Sequence, residues 1–465
     1  MRTSRCVYYG RLYALFAIYF LCDLGESRLD ITTLSTREIN TRFVGTAHVT
    51  EFASEEFVTV RFLGISYAKI SQRFAKPVLN VPKPGVVDAK TFGYICPQVL
   101  TPGDPCQKQP MSEECLFLNI YVPLQNISNE TRSEIIKSIA TSTLPTVTTL
   151  KLNGSLEESS SSLDNASAPM SSNTSSKLML SSVKSILDQM ERLEKTLMTD
   201  LNAENRSEGR WSSVKVTMKR SASPADTHDK PLVLPANTKY AVLVYLHGGA
   251  FVMGSGNCYD GSVLAGHGKI IVVTVNYRLG NLGFLTTNDG VIPGNLGLWD
   301  QHVAVQWLKK YIHIFGGDPD RITLGGQSAG SYSSIYQALY QGNDGLFQRV
   351  IAQSGTPTAV KSASLTGYNT TLRVAKQLNC EINTTNQQLK ACLMSISAES
   401  LVNVSLPMLV PGSLPIEPTV EEPFVPEDPY KILSQMAAPA VRKPFTRAWV
   451  LPKQRSSHRI RCSRW

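Results

Sequence analysis

The stretch Arg321-Ile322-Thr323-Leu324-Gly325-Gly326-Gln327-Ser328-Ala329-Gly330 decides how the chain is read. Arg321 to Leu324 has the pattern of a short strand, and Ser331 to Tyr340 that of a helix. Between them lies Gly326-Gln327-Ser328-Ala329-Gly330. A bare Gly-x-Ser-x-Gly recurs by chance; its place between a strand and a helix gives it content. Such a turn is sharp and strains the backbone at the serine. Its two glycines are needed because strand and helix approach too closely for side chains. The bend holds the Ser328 hydroxyl out of the sheet at a helix N-terminus, where negative charge is favoured. The bland alternative is a Ser-Gly turn without chemistry.

Roughly 80 residues upstream is His247-Gly248-Gly249-Ala250-Phe251, directly after the apolar run Tyr240 to Leu246. Small residues there let main-chain N–H groups converge on one spot. Donors of this kind stabilise the oxyanion of a tetrahedral intermediate, at about 3–4 kcal/mol each. The N–H groups of Gly249, Ala250 and Ala329 are the expected donors. His247 precedes the turn on the strand and is expected to be structural. Lys269 to Tyr277 carries an unbroken β-branched run, Ile270 to Val275, as in a strand buried on both faces. Asp300 to Ile314 has helical periodicity. Strands alternating with helices predict an α/β fold with a largely parallel sheet.

These motifs do not stand alone. Phe62-Leu63-Gly64-Ile65 with Tyr67-Ala68, Arg73-Phe74, Cys96-Pro97-Gln98, Ser112-Glu113-Glu114-Cys115-Leu116-Phe117-Leu118-Asn119, Val275-Asn276-Tyr277-Arg278-Leu279-Gly280, Gly297-Leu298-Trp299-Asp300-Gln301, Phe315-Gly316-Gly317-Asp318-Pro319 and Gln353-Ser354-Gly355 follow in order. With them the chain resembles the type-B carboxylesterase and cholinesterase-like branch of the α/β-hydrolases. The resemblance covers residues of about 40–123 and 237–435, the N-terminal half of that family's catalytic domain. It implies a mostly parallel central sheet with helices on both faces, Ser328 as nucleophile, and a small-molecule carboxylic ester as substrate. It also implies disulfides Cys96–Cys115 and Cys380–Cys392, and structural ion pairs Arg73–Glu113 and Arg278–Asp300. No cofactor and no metal enters. Relatives that bind choline carry a Trp inside the first disulfide loop. None lies between Cys96 and Cys115, which argues against choline esters. Gln327 before the nucleophile is shared with juvenile-hormone-esterase-like relatives.

Composition is consistent with this. The 465 residues are 42 % hydrophobic, enough for a real core, and the net charge of +9 is mild. Much of it lies at the two ends and the middle is close to neutral, so the chain does not read as a nucleic-acid binder. Residues 1–25 read as a secretory signal: a basic start, then the apolar run Leu12 to Cys22, too short to span a bilayer. Secretion is therefore expected, with no transmembrane segment. Without Cys6 and Cys22, seven cysteines remain, at 96, 106, 115, 258, 380, 392 and 462. An odd count leaves one thiol over or means an incomplete chain. Nine N-x-S/T sequons agree with export: Asn126, Asn129, Asn153, Asn165, Asn173, Asn205, Asn369, Asn383 and Asn403. Six fall in residues 124–236, a Ser/Thr-rich insertion expected to be disordered apart from one amphipathic stretch, 177–201.

A serine esterase also needs a base and an orienting acid, in chain order Ser, acid, His. Downstream of Ser328 stands one histidine, His458, in a basic tail, 436–465, that lacks the family's flanking residues. The sequence therefore predicts a product cut short at its C-terminus, with the later strands missing, a sheet edge exposed and activity weak or absent. Two functions compete: a secreted ester hydrolase, and a neuroligin-like adhesion protein that keeps the fold without the chemistry. Such adhesion relatives usually replace the nucleophile, whereas Ser328 and the glycine turn are present here.

Overall fold

The strand expected over Tyr240 to Leu246 is present as β9 (Tyr240–Leu246), and the β-branched run supplies β10 (Ile271–Val275) beside it. The two pair in parallel, with Val244 against Val273. The computed structural model describes residues 23–33, 40–52, 55–100, 108–125, 135, 232–234, 238–357, 367–404, 416–422, 424–425, 427, 431 and 448–451. These belong to one compact unit; a second unit, 146–229, lies outside them, as do the 177–201 stretch, residues 1–22 and His458.

The other strands are β1 (Asp23–Thr32), β2 (Thr41–Phe52), β3 (Glu55–Ser66), β4 (Ala68–Lys69), β5 (Val78–Leu79), β6 (Gly85–Asp88), β7 (Phe117–Pro123), β8 (Leu232–Val233), β11 (Gly317–Gln327), β12 (Arg349–Gln353) and β13 (Ala448–Leu451). The main sheet runs β13-β12-β11-β9-β10-β7-β3-β2-β1-β8, with β6 on β2. From β13 to β10 every neighbouring pair is parallel; β7, β3, β2 and β1 follow antiparallel. The sheet is therefore parallel where the site sits and antiparallel toward its N-terminal edge.

Helices are α1 (Ser262–Gly268), α2 (Gly280–Phe284), α3 (Leu296–Tyr311), α4 (Ala329–Leu339), α5 (Gly367–Gln377), α6 (Asn386–Ser395) and α7 (Ala398–Val402). Alternation along the strands shows that both faces are covered. Phe62, Ile120 and Val273 point into the large core with Trp307 of α3. Their chain neighbours Leu63, Tyr121 and Val272 pack with Ala265 of α1 on the other face. Trp307, Phe315, Phe43 and Phe62 meet edge to face or tilted, and Trp307 Nε1 donates to the Asn80 carbonyl (3.1 Å).

Several expectations shift. The helix expected from Asp300 begins at Leu296, because Asn295 takes a left-handed conformation (φ 57°) that starts the helix four residues earlier. β11 reaches back to Gly317, where pairing with Tyr240 of β9 extends the Arg321 to Leu324 strand. Three residues of the expected signal, Asp23 to Gly25, open β1. Leu232 and Val233, placed in the insertion by sequence, pair with β1. Ala448 to Leu451, placed in the unrelated tail, pair in parallel with β12, so the edge expected to be bare carries a further strand.

Candidate active site

Ser328 sits between β11 and α4 with φ 55° and ψ −121°, a conformation that L-residues rarely adopt. The surroundings impose it. A Cβ on Gly330 would stand 2.0 Å from the Leu246 carbonyl oxygen, and one on Gly326 would stand 2.5 Å from Gly330. The chain can turn from strand to helix in so little space only with glycine at both positions. The Ser328 N–H donates to the Gln353 carbonyl (2.9 Å), and its own carbonyl accepts from Ser331 and Tyr332 of α4. Ser354, also left-handed (φ 55°), and Gly355 close the floor, since a Cβ on Gly355 would meet the Ser328 oxygen at 2.6 Å. Ser328 is the N-cap residue of α4, on the positive side of its dipole.

The glycine turn lies against it. Gly248 abuts Gln327 and Ser328. The turn then runs through positive φ at Gly249 (116°), Ala250 (54°) and Phe251 (62°). The Gly249 carbonyl accepts from Val252 and Met253 (both 3.0 Å), which fixes the loop shape. Among the described residues, no main-chain acceptor takes the N–H of Gly249, Ala250 or Ala329. His247 does not face the serine as a free base. Its Nδ1 lies 2.8 Å from the Gly248 carbonyl, its ring stacks on Tyr277 (4.3 Å), and its carbonyl accepts from the Tyr277 hydroxyl (2.7 Å). Burial pushes its pKa down to about 4, against the upward pull of the Gly248 contact.

The bracing groups fall where the motifs place them. Arg278 grips Asp300 with Nε to Oδ2 (2.9 Å) and Nη2 to Oδ1 (2.7 Å), while its own N–H donates to Oδ2 (2.9 Å). Arg73 pairs with Glu113 (Nε to Oε2, 2.8 Å) and donates from Nη1 to the carbonyls of Leu393, Met394 and Ile396 at the end of α6. Cys96 is bonded to Cys115 and Cys380 to Cys392. Arg73 thus ties the first disulfide loop, through Glu113, to the end of α6 directly after Cys392. Cys258 is disulfide-bonded as well.

Two groups near the site have no role in the sequence reading. Glu417, which lies where prolines recur between Pro407 and Pro429, is 8 % exposed, and its Oε2 has no hydrogen-bond partner among the described residues. Burial pushes its pKa from 4.5 up to about 7; Tyr332 on α4 is likewise raised, by its own burial first and then by the Glu417 charge. No local pattern marks Glu417, because its burial comes from distant packing. Gln98, 3 % exposed, reaches the glycine turn from the first disulfide loop. Its signal was present, since it closes the Cys96-Pro97-Gln98 motif.

A strained serine between a parallel strand and a helix, with a glycine turn folded against it from the neighbouring strand, is the architecture of the α/β-hydrolases. Residues 41–165 and 223–444 match the Carboxylesterase family, and the chain belongs to it. It is 39 % identical over 216 residues to the bile salt-activated lipase of Bos taurus, covering 42 % of this chain and 35 % of the lipase. It is 29 % identical over 441 residues to neuroligin-2 of Mus musculus, covering 89 % of this chain and 40 % of the neuroligin. The chain thus spans well under half the length of these curated relatives.

Proposed function

We propose that the protein is a secreted carboxylic ester hydrolase that is acylated on Ser328. The Ser328 oxygen attacks the ester carbonyl carbon and its proton passes to a general base. The N–H groups of Gly249, Ala250 and Ala329 hold the resulting oxyanion. Collapse expels the alcohol and leaves acyl-Ser328, which water hydrolyses to the acid. The observation that carries this reading is the backbone of Ser328, held at φ 55° where strain is retained for a nucleophile's exposure. The base and the orienting acid are not assigned. His247 is stacked and buried, and His302 is engaged with Asn343 (2.7 Å). Export is supported by the N-terminal apolar run, the sequons and the disulfides; no helix among the described residues is long and apolar enough to cross a membrane.

A neuroligin-like binding role is the second reading. It is favoured by the 441-residue match to neuroligin-2, far longer than the match to the lipase. A fluorophosphonate probe separates the two. Phosphonylation mapped to Ser328, absent in Ser328→Ala, supports the hydrolase. A folded chain that resists the probe at every concentration supports the binding protein.

A further inference from the structure

Gln98 and the main chain of Gly254 are matched donor for acceptor. Gln98 Oε1 accepts from the Gly254 N–H (2.6 Å), and Gln98 Nε2 donates to the Gly254 carbonyl (2.9 Å) and to the Cys96 carbonyl (3.0 Å). The amide orientation follows from its surroundings: one end faces an N–H, the other faces two carbonyls. Gly254 ends the glycine turn. With φ 107° it packs so closely on the turn's start that a Cβ would meet His247 Nδ1 at 2.5 Å and the Gly248 carbonyl at 2.6 Å. Gly248 in turn abuts Ser328. Contacts therefore run without a gap from Gln98 through Gly254 and Gly248 to the serine.

The loop that carries Gln98 is itself anchored. The Cys96–Cys115 bond closes it, Asn276 Nδ2 donates to the Tyr94 carbonyl (3.1 Å), and Asn257 Nδ2 donates to the Gly93 carbonyl (2.9 Å) and to Gln109 (3.1 Å). Asn276 Oδ1 also accepts from Ser255 Oγ and Gly256 N–H (both 2.8 Å), just beyond Gly254. The glycine turn has no regular secondary structure to hold its positive-φ residues; the first disulfide loop supplies that support from outside.

We propose that Gln98 is a positioning residue: from the first disulfide loop it sets the geometry of the Gly249–Met253 turn, and so the direction of the N–H groups assigned to the oxyanion. The proposal deepens the hydrolase reading and rests on it for those donors. Gln98 touches neither substrate nor serine and acts only through Gly254.

The test compares Gln98→Leu and Gln98→Glu with the wild-type full chain. A protonated glutamic acid reproduces the pairing with Gly254, its O–H donating to the Gly254 carbonyl and its C=O accepting the Gly254 N–H, and gives up only the second donor, toward the Cys96 carbonyl. An ionised carboxylate keeps the acceptor and turns a negative oxygen toward two carbonyls. In Gln98→Leu, hydrogen exchange at the Val252, Met253 and Gly254 amides is expected to rise about tenfold or more, with peptides from β11 unchanged. In Gln98→Glu, exchange corrected for intrinsic rates should match wild type at acidic pH and approach the leucine variant once the carboxyl ionises. A general packing role would give no such rescue. Fluorophosphonate labelling of Ser328 should follow the same order. Turn exchange at the wild-type level in Gln98→Leu, an equal rise throughout the sheet, or no pH rescue in Gln98→Glu would each overturn the proposal. Should the exchange pattern hold while even wild-type Ser328 resists the probe, the hydrolase reading fails and the brace on the turn stands.

Discussion

Gly248 is folded directly onto Ser328: a Cβ on Gly248 would stand 3.4 Å from the Ser328 Cβ and 2.7 Å from the Gln327 carbonyl oxygen. The end of β9 and the end of β11 are pressed together at the one point where the serine turns out of the sheet. Gly248→Ala must push the two apart. Overpacking of this kind costs about 1–3 kcal/mol. The variant is expected to unfold at lower denaturant concentration and to take fluorophosphonate more slowly at Ser328, read by denaturant titration and by mass spectrometry.

The strain at Ser328 makes a separate, opposite prediction. Glycine adopts φ 55° at little cost, whereas serine there bears roughly 1–3 kcal/mol. Ser328→Gly should therefore leave the protein unreactive to the probe yet raise its melting temperature. A lower melting temperature would mean that the serine side chain contributes packing or hydrogen bonding that outweighs the backbone strain.

Arg278 and Asp300 are both buried and bound through four charge-assisted hydrogen bonds, so neither tolerates the loss of the other. Asp300→Ala leaves a guanidinium uncompensated in the core and is expected to cost about 3–5 kcal/mol. The measurement is equilibrium unfolding in urea. A loss below about 1 kcal/mol would place the pair among exposed, solvent-screened bridges.

Glu417 predicts a pH dependence. Its folded pKa is raised by burial from 4.5 to about 7, so the folded state holds a proton that the unfolded state has released. The stability tied to that proton is fully present below pH 4.5, declines as the pH rises, and is gone above about 7. Glu417→Gln removes the dependence. The variant should be more stable than wild type at pH 8, by at most roughly 3 kcal/mol, with the gap closing toward pH 4. Parallel melting curves of the two proteins across that range would refute the buried-carboxyl assignment.

The Cys380–Cys392 bond closes a 12-residue separation between the end of α5 and α6. Replacing both cysteines by serine should lower stability by about 3 kcal/mol in the chain-entropy account. Because Arg73 holds the carbonyls of Leu393, Met394 and Ile396, the loosening should spread to the Glu113 side of the first disulfide loop, visible as faster amide exchange there.

Local pattern settled much of this protein in advance. The strand ending at Leu246, the β-branched strand that became β10 and the strand-to-helix turn at Ser328 are short-range features, governed by periodicity and by where glycine is sterically required; the sequence alone marked them. It marked both described disulfides and both ion pairs through resemblance. Where elements begin was less legible. Asn295 starts α3 early by a backbone conformation, and Gly317 joins β11 only because Tyr240 lies beside it. Tertiary structure alone decided the rest. Gln98 meets Gly254 across 156 residues of chain, Glu417 loses its water to distant packing, and Ala448 to Leu451 lie along β12. Such meetings depend on how whole elements stack, and no window of neighbouring residues encodes them.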